Sequence, residues 1–565
     1  MSLLGGRRAY ARLQILPLAA IFIAAIMVVA TVSWTALACT SIPVTPGASA
    51  DGSCMTTHTD DSGTDTFHVK VVPAADWPAG AMRPVLRNTD FGPYGQLANP
   101  IKSPGQIPQV PHTFAYINSS YSFQNEKQVG IGETTIGGRR ELTNPSGWFD
   151  LVELQRIALE RASSAREAIK IMGELAETYG YAIGGECLTV IDPNEAWMFE
   201  IFGPGPFWTP GCGKPGAVWA AARIPDGHVG VSANRSRIGA IDLSDPDHFM
   251  ASPNIFSLAE EMGWWDPKSG KEFKVYETYG YKDYSAYNAR REWRVLSMLA
   301  PSLNLDPNAE RYPFSVKPDK PVTPQDIMKI NRDHYEGTEY DLTVGMAAGP
   351  FGTPNRYPTP SKVNPPGSSG WERAISMFRA VYSTIVVARK NMPDWIGGMT
   401  WFGYDAPHST CYIPIYCGAT KLPKSFDVGM RGGSYDVFSR ESAWWAFNFV
   451  SNWADLKYSY MIEDIKAVRD PLEAEFFAMQ PVIEKTAIDL FRQDAGLARA
   501  FITNYTNSCA NRVVDAYWKL ASQLVGRYAD GYVYGDDTFK MQSVGYPEWW
   551  LKEVGFGLST IPSKK

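Results

Sequence analysis

Histidine is scarce in this chain, with seven in 565 residues. There is no Gly-x-Ser-x-Gly elbow, no His-Glu-x-x-His helix, no phosphate-binding Gly-x-x-x-x-Gly-Lys loop and no dinucleotide fingerprint. A serine triad or a histidine-rich metal centre would therefore have to be assembled from scattered residues. No basic block is present and the formal net charge is −6, which argues against nucleic acid as a partner. Neither an internal repeat nor a low-complexity tract is found, so solenoid and disordered classes drop out. What remains is an ordinary globular balance, with 45% hydrophobic and 20% charged residues. The 18 Trp, 28 Tyr and 26 Phe can fill a large core. The length suits two or three domain-sized units, or one large core with additions.

The N-terminus reads as a targeting segment. Arg7, Arg8 and Arg12 precede an apolar run from Ile15 to Val32, followed by Ala36-Leu37-Ala38 and then Cys39. These are the three parts of a secretory signal, with cleavage expected before Cys39 and an exported mature chain. An uncleaved anchor is the alternative, because the run nearly spans a bilayer. Arg7-Arg8 is a weaker hint of twin-arginine export. Apart from this segment no membrane contact is expected.

Seven cysteines in an exported protein leave one thiol without an internal partner. With Cys39 set aside, Cys411 and Cys417 are expected to pair across Tyr-Ile-Pro-Ile-Tyr, and Cys187 with Cys212. A zinc site on His408, Cys411 and Cys417 is weaker, because the spacing is not a known ligand pattern.

Along the chain, Thr66–Val72 has strand character. Gly130–Gly138 reads as a strand leaving a turn at Asn125-Glu126-Lys127. Two helices follow, and Ser164-Ala-Arg-Glu167 is a capping box for Ala168, Ile171, Met172 and Leu175 at helical spacing. Two hairpins are predicted next, turning at Asp192-Pro193-Asn194 and at Pro225-Asp226-Gly227. Residues 301–370 are rich in Pro and Gly and read as long loops. From Ser439 to Tyr528 the pattern is helical, most clearly over Leu472–Phe491 and Ala510–Tyr528. Strands followed by helices, without alternation, imply α+β layers and exclude a doubly wound parallel sheet.

Cys39 is the residue that could carry chemistry without a histidine. Cleavage before it would place an α-amine, with pKa near ~7.7–8.0, within reach of its own sulfur. One residue would then supply nucleophile and base. Such a centre needs an oxyanion donor and charged groups that fix the amine. Asn234 in Val-Ser-Ala-Asn-Arg-Ser-Arg-Ile suits the first task. Asp61 and an arginine of Ala289-Arg-Arg-Glu-Trp-Arg294 suit the second. His68 and His248 read as surface or packing residues.

The segment Cys39–Asp61, CTSIPVTPGASADGSCMTTHTDD, resembles the mature N-terminus of the dipeptidase A family of N-terminal-nucleophile hydrolases. Further matches follow in order: QNEKQVGIGETT from Gln124, IDPNEAWMFEIFG from Ile191, VGVSANRSRI from Val229, DHYEGTEYDLTVGMAAGPFGTPNR from Asp333, and WFGYDAPHSTCYIPIY from Trp401. The family is secernin-like and more distantly similar to choloylglycine hydrolases, which include bile-salt hydrolases and penicillin V acylases.

The resemblance implies a four-layer αββα sandwich with long loops and a helical C-terminal region. Residues 39–447 would form the hydrolase domain and residues 448–565 a mainly helical extension packed on it. It implies a cysteine dipeptidase acting on small peptides, with no metal or organic cofactor; a homo-oligomer is compatible with it. By motif, the nucleophile and base fall on Cys39. Asp61 is the carboxylate partner, Thr135 marks one oxyanion position and Asn234 the other. The arginine falls on Arg291, with Arg290 adjacent and the register open. Two other readings stay on the table. One is an N-acyl amidase with the same mechanism, and the other is a lipoprotein lipidated at Cys39. Against the second, Ala36 stands where a lipid-attachment box prefers a large aliphatic residue.

This chain departs from the family at His58-Thr59, where many relatives have Arg-Asn. A titratable imidazole would then stand near the sulfur in place of a permanent cation. His58 is expected to add a second acid limb to the pH–rate profile. Measured as kcat/KM against pH, a His58→Arg variant should lose that limb.

Overall fold

The computed structural model describes residues 39–61, 67–87, 103–280, 286–357, 372–428, 438–535 and 541–556. The predicted signal segment lies outside them. Twelve strands build two sheets. In chain order they are β1 (Cys54–Asp60), β2 (Lys70–Val72), β3 (Tyr116–Asn118), β4 (Gln124–Asn125), β5 (Gly130–Thr135) and β6 (Glu186–Ile191). They continue as β7 (Ala196–Phe202), β8 (Val218–Arg223), β9 (Phe249–Ala251), β10 (Tyr382–Ala388), β11 (Met399–Tyr404) and β12 (Ile413–Tyr416). One sheet has the order β1-β10-β11-β12; the other runs β9-β8-β7-β6-β5-β4-β3-β2. The pairings in both are antiparallel.

The seven helices that matter here are α1 (Leu151–Arg161), α2 (Ala165–Tyr179), α3 (Ala286–Leu299), α4 (Pro324–Asn331), α5 (Ala443–Ala454), α6 (Tyr458–Phe491) and α7 (Ala495–Arg527). The fold is thus mixed α/β with a helical C-terminal region, as the order of patterns implied.

Period-two alternation decides what each face of the larger sheet touches. Leu188 and Val190 of β6, with Trp197, Phe199 and Ile201 of β7, face Leu154, Ile157, Ile169 and Met172 of α1 and α2. Their sequence neighbours Cys187, Ile191, Met198 and Phe202 face the other way, toward Ile42, Met55 and Ile385 at the smaller sheet. Both faces are buried, so these strands read as continuous apolar runs. Beyond the smaller sheet, Trp401 of β11 lies on Phe477 of α6, and Phe447 of α5 lies on Tyr517 of α7.

The predicted first hairpin is present. Ile191 pairs with Ala196, and Asp192 Oδ1 accepts the N–H groups of Asn194 and Glu195. The predicted cap is present in modified form. Ser164 Oγ accepts from Glu167 N, while Glu167 accepts from Ser163 in place of Ser164.

Three expectations need correction. The second hairpin does not close: β8 pairs with β7 and β9, whereas Val229–Gly230 pairs with Ser315–Val316 and Val229 bridges Val44. The turn at Pro225-Asp226-Gly227 is real, with His228 N donating to Pro225 O, but it carries the chain away from the larger sheet. Second, within the stretch read as helical, the segment marked most clearly from Leu472 is part of a longer helix: α6 starts at Tyr458 and runs through Pro471 and Pro481. An internal proline costs ~3 kcal/mol. Packing outweighs it here: Ile465 and Phe476 are buried, and Glu473 takes Arg332 and the Tyr412 N–H.

Third, all seven cysteines are free. Cys411 and Cys417 stand at opposite ends of β12, and an extended strand at about 3.3 Å per residue holds them roughly 20 Å apart. A disulfide needs Cα atoms within about 7 Å. Cys187 is buried in β6 while Cys212 lies on an exposed loop. Alkylation of the unreduced, denatured protein should therefore label Cys187, Cys212, Cys411 and Cys417. A peptide map showing a 411–417 link would contradict this arrangement.

Candidate active site

Cys39 sits at the start of an extended segment gripped on both edges. On one edge Val44 exchanges backbone hydrogen bonds with Met55 at 2.8 and 2.9 Å. The two chains then part, and threonine hydroxyls of β1 bridge the gap. Ile42 N donates to Thr57 Oγ1 at 2.9 Å and Thr40 N to Thr59 Oγ1 at 3.1 Å. On the other edge Ser41 and Ser232 exchange N–H···O bonds of 3.0 and 2.9 Å. Ser41 Oγ donates to Glu133 O of β5. This approach is why residue 132 is glycine: a side-chain carbon there would collide with the Thr57 carbonyl oxygen.

After Ser232 the chain bends at Asn234, which holds a φ of 63°, a left-handed conformation that asparagine tolerates. The following Arg235 and Arg237 both pair with Glu292 of α3, locking the bend onto that helix. One position earlier on α3, Arg291 points into the site, fully buried. Its guanidinium donates to Cys39 O (2.8 Å), Thr40 Oγ1 (2.9 Å), Ala233 O (3.2 Å) and Asn234 Oδ1 (2.7 Å). Asn234 Nδ2 in turn donates to Thr135 O at 2.7 Å.

The sulfur faces acids. A sulfur, an imidazole nitrogen and a carboxylate oxygen from Cys39, His58 and Glu133 lie within 4.8 Å of one another. These donor types suit Zn²⁺, and among the described residues they are the one group that gathers three possible metal ligands. His58 Nε2 is 3.2 Å from Glu133 Oε2, and His58 Nδ1 is 3.3 Å from the Tyr382 hydroxyl. Asp61 is fully buried; it is ion-paired with Arg373 and accepts from Thr59 Oγ1.

Burial pushes the Cys39 thiol well above the ordinary thiol range, and the charges of Glu133, Asp61 and Asp60 push the same way; only the Asp61 N–H opposes them. Burial also lifts the Asp61 carboxyl, against the pull of Arg373, Arg379 and Arg291. Arg291 falls to about 10, through burial first and then the charge of Arg373. It stays a cation at neutral pH.

The predicted residues converge. Cys39, Arg291, Asn234 and Thr135 form one hydrogen-bonded chain, and Asp61 and His58 flank the sulfur. The open register resolves in geometry: Arg291 reaches Cys39, whereas Arg290 turns to Glu372 and stacks on Tyr340. Thr135 spends its hydroxyl on Glu133 Oε1. His68 and His248 lie on Asn118 and Asp245. Sequence reasoning missed Glu133, Tyr382 and Arg373. Glu133 was inside a quoted motif, two residues before Thr135, and on a strand that spacing places it on the same face.

The sequence profile of peptidase family C69 matches residues 38–470. A probable dipeptidase of Salmonella dublin is 27% identical over 422 residues, 72% of this chain and 87% of that protein. One of Latilactobacillus sakei is 27% identical over 504 residues, 86% of this chain and 95% of that protein. Dipeptidase A of Lactobacillus helveticus is 23% identical over 430 residues, 74% and 82% of the two chains.

Arg291 serves five acceptors from one rigid fork, Tyr287 O through Nε included, which a lysine ammonium cannot span. Arg291→Lys should lower the unfolding free energy by about 2–4 kcal/mol, since buried acceptors are left unpaired. The shift of the urea midpoint at constant slope measures it.

Proposed function

The chain belongs to peptidase family C69, and from that premise we propose that it is an exported dipeptidase with Cys39 as its nucleophile. The names of its relatives support dipeptides as substrates. The stacking of α1–α2, the larger sheet, the smaller sheet and α5–α7 supports a four-layer N-terminal-nucleophile sandwich. The observation that carries the reading is Cys39 itself, pinned through its carbonyl by Arg291 and through the next residues by β1.

While Ala38 is attached, the Cys39 nitrogen is an amide and has no basicity. Signal cleavage turns it into an amine. The amine takes the thiol proton and the sulfur attacks the scissile carbonyl. Asp61 Oδ1, buried and without a hydrogen bond, is the counter-charge for the resulting ammonium. The Asn234 amide, clamped on its oxygen by Arg291, donates to the developing oxyanion. The ammonium returns its proton to the leaving amine as the C–N bond breaks. The acyl group stays on sulfur as a thioester. Water, deprotonated by the same amine, then releases the second amino acid and restores the thiol.

Protein processed to Cys39 should hydrolyse dipeptides. Cys39→Ala, and a form with one extra residue before Cys39, should lose at least about 1,000-fold in kcat/KM. Activity surviving either change would overturn the mechanism. Intact mass of the mature N-terminus reports lipidation in the same preparation.

A further inference from the structure

Glu133 carries a buried carboxylate oxygen, Oε2, that makes no hydrogen bond. Facing it at 3.2 Å is His58 Nε2, which makes none either. His58 Nδ1 faces the Tyr382 hydroxyl at 3.3 Å. A buried carboxylate oxygen that makes no hydrogen bond calls for a donor.

Of the other acids, Asp60 accepts from Ser120, and Asp61 is held by Arg373 with its remaining oxygen left for the Cys39 ammonium. Burial and the charge of Glu133 push the Glu186 carboxyl well up. Among the charges that raise the Cys39 thiol, that of Glu133 acts most strongly.

We infer that Glu133 Oε2, with His58 Nε2 beside it, binds the free α-ammonium of a dipeptide and makes the site select for unblocked N-termini. The inference rests on the dipeptidase reading and assigns its specificity to one residue. The geometry suits it. In a dipeptide the ammonium nitrogen is about 2.5 Å from the scissile carbon. The attacking sulfur approaches that carbon to about 3–3.5 Å, and an ammonium–carboxylate bond is about 2.8 Å. These links bend at each atom, so the carboxylate belongs close to the sulfur; here one of its oxygens lies within 4.8 Å. An ammonium there can donate to Glu133 Oε2. An N-acylated or desamino substrate would instead leave the carboxylate buried and unpaired, which is how such sites reject analogues. Asp61 would serve the ammonium of Cys39 and Glu133 that of the substrate, one carboxylate for each.

The test compares alanyl-leucine with propanoyl-leucine, which differs only in lacking the ammonium. Enzyme processed to Cys39 should prefer the dipeptide by about 100-fold or more in kcat/KM. Glu133→Gln should bring that ratio down toward one, chiefly through the dipeptide, and Glu133→Asp should keep part of it. A wild type that cleaves both substrates equally overturns the inference without any variant. So does a Glu133→Gln enzyme that keeps the wild-type ratio, or one that loses both substrates in equal proportion. A wild type inert toward both substrates overturns the dipeptidase reading as well.

Discussion

The structure turns on the grip that holds Cys39–Val44 between β1 and residues 229–234. On the proposed route Cys39 uses its own backbone nitrogen, and such a residue cannot be anchored through that nitrogen. It must be fixed from its carbonyl onward, and that is where the bonds are: Arg291 on Cys39 O, Thr59 on Thr40 N, Ser232 on Ser41, Thr57 on Ile42 N. Much else follows from this demand. β1 offers threonine side chains where the backbone of a regular strand would pair. Gly132 lets β5 close in. The chain leaves the larger sheet after Gly227 because the second edge of the Cys39 segment has to be built from somewhere.

The second constraint is charge. Asp60, Asp61 and Glu133 are buried around one sulfur, with Glu186 beside Glu133 and with Arg291 and Arg373 as buried cations. Burying that many ionised acids would cost several kcal/mol each unless they were paired or neutralised. The site uses both routes. Arg373 is held strongly protonated by Asp61, and the Glu186 carboxyl is pushed well up by burial and by the charge of Glu133, which favours its neutral form. The acid excess that remains disfavours a thiolate.

The parts of the fold legible in the sequence were those with local signals. The hairpin at Asp192 announces itself because Asp-Pro-Asn is a turn by its own chemistry, and α2 because its cap is local. β1 was opaque as a strand. Cys-Met-Thr-Thr-His-Thr-Asp is buried at every position, so no alternation marks it. α6 was cut short at Pro471 because local propensity knows nothing of the Glu473 contacts that hold the helix through it. The 411–417 pair failed for the same kind of reason: proximity along the chain misleads when the intervening residues are extended. In the site, Asp61, Asn234 and Arg291 were legible through motif order. Arg373 was not, because it reaches Asp61 from 312 positions away without any motif around it.

On the proposed route, the two constraints meet at the cut before Cys39. Until the Ala38 peptide bond is broken, the sulfur has no base of its own, and burial with Glu133, Asp61 and Asp60 keeps it a thiol. That combination makes the precursor chemically quiet even with the rest of the centre in place. Cleavage adds a group that can become positive to a pocket with unsatisfied negative oxygens on Asp61 and Glu133. The new ammonium favours the thiolate by direct attraction and relieves the acid excess in the same step. An acid-lined pocket would be a poor home for an ordinary catalytic cysteine, which needs a standing cation beside it. For a cysteine that brings its own cation on processing, and whose substrate brings another, the same lining becomes the reason for both binding and activation.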